Sequence, residues 1–456
     1  MNPSPAPSPP SVPSPEASTG HPAARLWTEW EARLEAGRCL YCYDAPCSRA
    51  CPSGVDVPEF IRSVESGAWR AAARLVLGPN PLAESCGCLC PTEQLCAGEC
   101  LLDRIEGQPA IAIDRLQRFA AQRARTSRWD LFPPALSTGK RVALIGGGPA
   151  SLACAQGLAR LGHAAVIFEC GEQAGGIPAA AIAPGKLERE LASEEAAWLL
   201  TRGVELRTGT TVGKDVAFAE LEREFGAIFI GVGQGPDRPL GLPGEEGEGV
   251  TGAIAFLSAL RSGRMRSVPQ WQRVLVVGGG NSAVDAAQAA HDLGVPEVLL
   301  IYRRAEGEMP AYPSQWRAAV ASGVRGIFST QPLAVLLEAG KVRALRCIRT
   351  RPGDPDESGR PRPLPVPGTE EELAADGVIV ATGQAGPREL LPGLPADVRL
   401  EGRRIAVEPE TGATSRPGYF AGGDCASGGA EVVHAVAGGL RAARAIDRYL
   451  MGRATR

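Results

Sequence analysis

The chain has 456 residues, of which 44 % are apolar and 22 % charged, and a formal net charge of −3. That length exceeds one ordinary core and predicts two to four domains. The balanced charge gives no basis for nucleic-acid binding, and no run of like charge marks an interaction tail.

Met1–Gly20 is rich in Pro and Ser and lacks the basic start and apolar run of a secretory signal. Residues 1–21 are therefore expected to be a disordered leader on a cytosolic protein. Residues 22–135 read as a helical domain. Leu26, Trp27, Trp30 and Leu34 recur at helical spacing. So do Phe60, Ile61, Val64, Ala68, Ala71 and Leu75, with Pro58 in a first turn, and later Ile113, Leu116 and Phe119. After a polar connector, Thr126–Lys140, the pattern changes to strand, Gly-rich turn, helix and strand, at Arg141–Glu169 and again at Arg273–Tyr302. A strand at Gly377–Ala381 and a helix at Glu431–Tyr449 follow. The longest apolar stretch, Val142 to Ala159, holds three successive glycines, Pro149, Ser151 and Gln156. It reads as strand, turn and helix rather than the ~20 apolar residues of a membrane span.

Nine of the thirteen cysteines fall between Cys39 and Cys100. In a cytosolic enzyme that density points to metal or cluster ligation rather than disulfides. The first group is Cys39, Cys42, Cys47 and Cys51-Pro52; the second is Cys86, Cys88, Cys90-Pro91, Cys96 and Cys100. In ferredoxin-like runs the last Cys before Pro ligates the neighbouring cluster. On that logic Cys39, Cys42, Cys47 and Cys100 hold one cluster, while Cys51, Cys90 and Cys96 hold a second that lacks a fourth ligand. Structural zinc is the alternative, although zinc pairs usually come as two CxxC knuckles and only one is present. Gln117 sits at the edge of its helix's apolar stripe, where an amide is either a hydrogen-bonded core residue or the missing ligand.

The first Gly-rich turn, Gly146-Gly147-Gly148-Pro149-Ala150-Ser151, lies between strands Val142–Ile145 and Val166–Phe168. Gly146 makes the tight turn, Gly148 admits the pyrophosphate, Ser151 stands at the third small position, and Glu169 is placed for ribose hydroxyls. The second turn, Gly278-Gly279-Gly280-Asn281-Ser282-Ala283, follows strand Val274–Val277. Its second strand, Val298–Tyr302, ends in Arg303-Arg304, which is either a solvated pair or a 2′-phosphate site that favours NADPH over NADH. Two fingerprints suggest two dinucleotides, FAD and NAD(P)H. Near the C-terminus Gly423-Asp424 closes a strand, where the Asp is set to hold FAD, and the helix from Glu431 points its positive end at the flavin ring. No catalytic residue stands out, and His434 is read as structural. Cys154, Cys170, Cys347 and Cys425 are solitary, which argues against a disulfide-reductase reaction.

"RCLYCYDAPCSRACP", "NPLAESCGCLCPTEQLCAGEC" and "IDRLQRFA" resemble the N-terminal module of dihydropyrimidine dehydrogenase and of the electron-input subunit of its bacterial two-subunit form. "GGGPASLACA", "GGGNSAVDAA", "YRRAEGEMPA" and "YFAGGDCASGG" resemble the wider family that includes the glutamate synthase small subunit. The resemblance implies an α+α/β fold: a helical domain with two 4Fe-4S clusters (22–135) ahead of two nested Rossmann-like domains. The FAD domain would occupy 136–245 and 381–456, and the NAD(P)H domain 246–380. It also implies Gln117 as fourth ligand beside Cys51, Cys90 and Cys96. The segment after Gly175-Gly176 departs from the family's Tyr-Gly-Ile-Pro…Arg-Leu-Pro stretch near the nicotinamide, reading "IPAAAIAPGKLERE", and Gln234–Asp237 departs as well.

The function implied is that of an NAD(P)H oxidoreductase subunit that passes electrons through FAD and two clusters to an FMN-containing catalytic partner of dihydropyrimidine dehydrogenase type. With the chain ending at Arg456, no room remains for an FMN-binding barrel, so a hetero-oligomer is expected. The alternatives are a glutamate synthase small-subunit-like electron donor and a redox scaffold or sensor without turnover.

Overall fold

A computed structural model describes residues 27–133, 135–265, 271–355 and 359–452; the leader expected at 1–21, and Leu26, lie outside them. The N-terminal part is helical. Helix Glu29–Ala36 starts in a capping box, with Glu31 N donating to Thr28 Oγ1 and Thr28 N donating to Glu31 Oε2. Helix Val57–Glu65 is capped by the Asp56 side chain and has Pro58 in its first turn. Helices Trp69–Leu77, Ala83–Leu89 and Ile113–Thr126 complete one apolar core around Phe60, Ile61, Val76 and Leu116.

Two of the expected helical faces are corrected. In the first helix Ala32 and Ala36 face the core, while Trp30 and Leu34 are 69 % and 50 % exposed. The periodicity from Phe60 to Leu75 is not one helix. The chain breaks after Glu65 through Gly67 (φ +77), and the phase resets. Ala72, Ala73, Val76 and Leu77 are then buried, whereas Ala68 and Ala71 are exposed.

Two parallel five-stranded sheets follow. The first contains β1 (Arg141–Ile145), β2 (Ala164–Phe168), β3 (Val204–Arg207) and β4 (Ala227–Ile230). The second contains β5 (Val250–Gly252), β6 (Arg273–Val277), β7 (Glu297–Ile301) and β8 (Arg325–Ile327). Their buried, Val/Ile-rich strands are what sheets covered on both faces require. An antiparallel sheet of β9 (Thr330–Glu338), β10 (Lys341–Pro355), β11 (Pro361–Pro365) and β12 (Glu371–Ala374) interrupts the second sheet before β13 (Gly377–Val380) returns to it. A small ribbon, β14 (Leu400–Glu401) with β15 (Arg404–Ile405), precedes β16 (Tyr419–Ala421), which pairs with β4. The orders are β16-β4-β1-β2-β3 and β5-β13-β6-β7-β8, so the second sheet is inserted in the chain of the first. Helix Val432–Leu450 packs on helix Pro149–Arg160. Among the described residues no helix is long and apolar enough to cross a membrane.

Three fixtures join the helical part to the first sheet's layer. Glu195, on helix Leu191–Leu200, accepts the backbone N–H groups of Glu84 (2.8 Å) and Ser85 (3.1 Å), so it caps helix Ala83–Leu89 from outside. Arg160 donates to the carbonyls of Leu77 (2.9 Å) and Gly78 (2.8 Å), which closes the C-terminal end of helix Trp69–Leu77. Arg118 pairs with Glu188 at 2.6 Å. Arg125 grips Glu84 through two hydrogen bonds, of 2.7 and 3.1 Å, beside the first fixture.

Burial, with Glu84 adding, pushes the Glu195 carboxyl up to about 7. Both folded and unfolded forms are protonated below the ordinary value of 4.5. As pH rises from there through about 7 the unfolded chain gives up this proton first, so the native state loses stability, by on the order of 3 kcal/mol in all. Melting curves between pH 5 and 8 are expected to show Glu195→Gln losing a downward slope that the parent has. Parallel slopes would exclude a buried, titrating Glu195.

Candidate functional site

Cys39, Cys42, Cys47 and Cys100 line one small cavity, with Ile61 and Ile113 behind them. The loop that carries them is bent back by two residues in left-handed backbone, Tyr41 (φ +50) and Ala45 (φ +41). Each costs roughly 1–2 kcal/mol outside glycine, a strain that persists where a site needs it. Cys51, Cys90 and Cys96 form a second group. Cys90 is raised well above the ordinary thiol value by a hydrogen bond with Cys86, by burial, and by Cys96 and Cys51. Burial, with Cys39 and Cys100 beside it, pushes Cys47 up to about 11; burial and then Cys51 raise Cys96. No Lys or Arg is prominent among the groups acting on these thiols. Their charged neighbours are other thiols and the carboxylates of Glu65 and Asp114. Converging half-buried thiols with no prominent cation beside them make chemical sense around a cationic metal core. Among the described residues no group of three or more His, Cys, Asp or Glu is set to hold a single metal ion.

Gln117 is buried, and its Nε2 donates to Ala83 O at 2.8 Å, at the start of the helix that leads to Cys90. Two thiols that the spacing left unassigned also settle here. Cys86 is buried between Cys90 and Asn80. Cys88 stands among Arg118, Glu195, Glu188 and Glu84 and is pushed up to about 12 by burial.

The glycines of the two turns divide into those the fold needs and those it does not. Gly146 has φ +89, and a Cβ there would stand 2.8 Å from Gly231 O; at Gly278 (φ +151) it would stand 2.4 Å from Ala381 O. A Cβ at Gly148 would meet nothing nearer than 3.8 Å, and at Gly280 nothing within 4 Å. Both positions border open space at a helix N-terminus, a cradle for a phosphate. Ser151 is wholly buried, against Gly231, so its smallness serves helix–strand packing. Glu169 accepts from Gly147 N (2.6 Å) and Gly171 N (2.7 Å) at the end of β2. Asn281 Oδ1 accepts from Tyr312 N at 2.9 Å, Ala283 is buried and Ser282 is exposed.

The groove along the second turn is lined by Gly278, Gly280, Asn281, Ser282, Arg303 and Arg304, and also by Arg238 and Arg360. Arg303 is exposed; Arg304 is buried, with Nε donating to Pro361 O at 2.8 Å. Arg403 and Arg303 join burial in pulling Arg238 below its usual value, the mark of a crowded cationic patch. Asp237, in the departing segment, caps helix Ala253–Arg261 by accepting from Ile254 N and Ala255 N, both at 2.9 Å.

At the first turn a second pocket is lined by Pro149, Gly233, Gly423, Asp424 and Val432, and by Leu89 from the cysteine part. Asp424 accepts from Ala430 N at 3.2 Å. Lys186, Asp285, Tyr312 and Glu431 also line it. Spacing could not bring these four together, because they are far apart in the sequence. His434, expected to be structural, is exposed. Cys154, Cys347 and Cys425 are buried and Cys170 is exposed, all unpaired.

Two family models match. Residues 19–129 match "Dihydroprymidine dehydrogenase domain II, 4Fe-4S cluster", and residues 140–439 match "Pyridine nucleotide-disulphide oxidoreductase". The chain is 38 % identical, over 89 % of its length, to the NADP(+)-dependent formate dehydrogenase subunit beta of Moorella thermoacetica, and spans 60 % of that relative. It is 35 % identical to the Escherichia coli glutamate synthase [NADPH] small chain, covering 93 % of this chain and 92 % of that one. It is 32 % identical to an NAD-dependent dihydropyrimidine dehydrogenase subunit PreT homolog of Salmonella typhi, covering 91 % and 94 %. In fold it is similar to Mycobacterium tuberculosis FprA, with a TM-score of 0.57 at 18 % identity, covering 69 % of this chain and 85 % of that one.

Since nothing opposes a Cβ at Gly280, Gly280→Ala is expected to melt like the parent, within about 0.5 kcal/mol, while binding of a pyridine nucleotide weakens. Gly146→Ala is expected to lose about 1–2 kcal/mol or more from its backbone alone. A Gly280→Ala protein that melts early would show that packing, not a ligand, requires that glycine.

Proposed function

Because the chain belongs to the pyridine nucleotide-disulphide oxidoreductase family and joins to it a 4Fe-4S module of the dihydropyrimidine dehydrogenase type, we propose that it is the electron-input subunit of a larger oxidoreductase. When bound, FAD would supply the conversion between a two-electron hydride and single electrons, and 4Fe-4S clusters would supply one-electron relay sites.

The chain's own residues do the holding. Gly146, Gly148 and the helix N-terminus behind them receive the FAD pyrophosphate, with Ser151 supporting the turn, Glu169 on the ribose, and Gly423 and Asp424 on the middle of the molecule. Gly278, Gly280, Asn281, Ser282 and Ala283 form the NADPH turn. Arg303, with Arg238 and Arg360, neutralises the 2′-phosphate, while Arg304 braces the antiparallel sheet against that groove. Cys39, Cys42, Cys47 and Cys100 hold one cluster. Cys51, Cys90, Cys96 and the Oε1 of Gln117 hold the other, the amide nitrogen being engaged on Ala83. FAD binding then belongs to 136–245 and 381–456, and NADPH binding to 246–380, to which Arg238 reaches across from the first of these segments.

The observation that carries this reading is the pocket wall shared by Leu89 and the flavin-side turn, because Leu89 precedes the cluster-two thiol Cys90. Electron transfer needs that closeness more than it needs any acid or base.

The acceptor we infer is an FMN-containing partner that reduces pyrimidines, as the "DAPC" spacing and Gln117 favour. The 35 % identity to a glutamate synthase small chain over nearly the whole of both chains favours a second reading, in which the partner is an amidotransferase-type subunit. Co-purification from the host separates the two. A flavin subunit active on pyrimidines is expected, and an amidotransferase would overturn the assignment.

Replacing Arg303 and Arg238 together with Ala is expected to raise KM for NADPH by roughly 10–100-fold, as loss of charge-assisted contacts implies, and to leave KM for NADH in place. An unchanged NADPH/NADH ratio in dye-reduction assays would remove the phosphate role. Cys96→Ser is expected to lose about half of the iron and keep its flavin absorbance, whereas Cys86→Ser keeps both.

A further inference from the structure

Four of the five ionisable side chains that line the flavin-side pocket form two pairs, one hydrogen-bonded and one ionic, and the fifth is Asp424. Tyr312 O–H donates to Glu431 Oε1, and Glu431 stands just ahead of the helix that starts at Val432, its side chain free of any capping bond to that helix. Lys186 forms an ion pair with Asp285 and donates to Gln315 Oε1 at 2.7 Å. Lys186, Asp285 and Gln315 also line a second cavity of ≈ 590 Å³, together with Arg189, Gln288 and Asp292. The Lys186–Asp285 pair is thus the partition between the flavin-side pocket and that outer cavity.

Two-electron input and one-electron output leave a proton behind. A hydride carries two electrons and one proton. When both electrons have gone on to the clusters, the proton must leave the flavin edge for an acceptor. We propose that the Glu431 carboxylate is that acceptor, and that the Lys186–Asp285 pair hands the proton on to the outer cavity and so to water. This rests on the assignment of FAD to the pocket made above. For each hydride, one proton passes to Glu431, which becomes the neutral acid, then leaves through the partition and restores the carboxylate. The two electrons leave by the clusters.

The electrostatics suit the task. Burial raises both Glu431 and Asp285 above the usual carboxylate range, while Lys186 lowers both. The other charged groups that bear on Glu431 are Glu93 from the cysteine part, which is hydrogen-bonded by Ser314 Oγ at 2.5 Å, and Asp424 at the neighbouring turn. A carboxylate ringed this way is basic enough to take a proton and close enough to a cation to release it. The departing segment 177–190 acquires a role here, since it supplies Lys186.

The test uses the intact chain, purified with its flavin, reduced with NADPH and reoxidised by a one-electron acceptor. Proton release is followed with a pH-indicator dye, and the carboxylic-acid C=O band by infrared difference spectroscopy. Glu431→Gln is expected to release the proton about 100-fold or more slowly, the scale of a lost general base, and to lack the transient C=O band that the parent shows. Should that variant not hold flavin, Tyr312→Phe carries the test. It removes the O–H that stabilises the carboxylate, so the pH midpoint of proton release must move up. Release at the parent rate in a flavin-loaded Glu431→Gln, or an unmoved midpoint in Tyr312→Phe, overturns the proposal. A parent chain that binds no FAD would instead sink the assignment of the pocket.

Discussion

The structure depends on one buried carboxylate acting across a domain boundary. Glu195 belongs to the layer of the first parallel sheet, yet both of its oxygens bind the N-terminal amides of helix Ala83–Leu89. The far end of that helix carries Leu89, on the pocket wall, and then Cys90. A helix held by its first turn and packed along its length cannot slide, so the second thiol group stays registered to the flavin side. Arg160, on two orphan carbonyls at the end of helix Trp69–Leu77, applies the same logic to the opposite helix terminus. Hopping between redox centres weakens steeply with distance, and these fixtures hold that distance constant.

Around this frame the charges are sorted by task. The groove of the second turn gathers Arg238, Arg303 and Arg360, as a phosphate-rich ligand requires. The flavin-side pocket pairs acids with one lysine and one phenol, and its walls exclude strong cations apart from Lys186. Cys47 and Cys90 are pushed up by burial and by neighbouring thiols, an arrangement that is costly for bare thiolates and relieved by a cationic cluster core. The protein thus leaves the chemistry to its cofactors and spends its own residues on position and proton traffic.

Much of the nucleotide-binding part was legible because each signal is local. Val142–Ile145 and Val274–Val277 are β-branched runs that end in glycines, and each strand, its turn and its helix follow one another without interruption, at 141–160 and 273–292. The helical part was legible as helical but not in its facing. Gly67 resets the phase between Glu65 and Trp69, and in the first helix Ala32 and Ala36 fill a close contact too small for Trp30 and Leu34. The antiparallel sheet escaped notice because β10 carries many Arg and Pro residues, and its alternation is broken by register shifts between Val342 and Ala344 and between Arg346 and Cys347. Arg238 and Arg360 reach the groove from distant loops, and Lys186, Asp285, Tyr312 and Glu431 converge from four separate segments, so no window of sequence contains either group.

The central claim is that electrons entering at a pyridine nucleotide reach two iron–sulfur clusters inside this one chain. Anaerobically purified protein, titrated with NADPH and followed by low-temperature electron paramagnetic resonance, tests it most directly. Roughly eight irons and eight sulfides per chain are expected, as two cubanes require, with reduced-cluster signals appearing as the flavin absorbance bleaches. Protein that contains zinc in place of iron, or clusters that stay oxidised while the flavin is reduced, would contradict it.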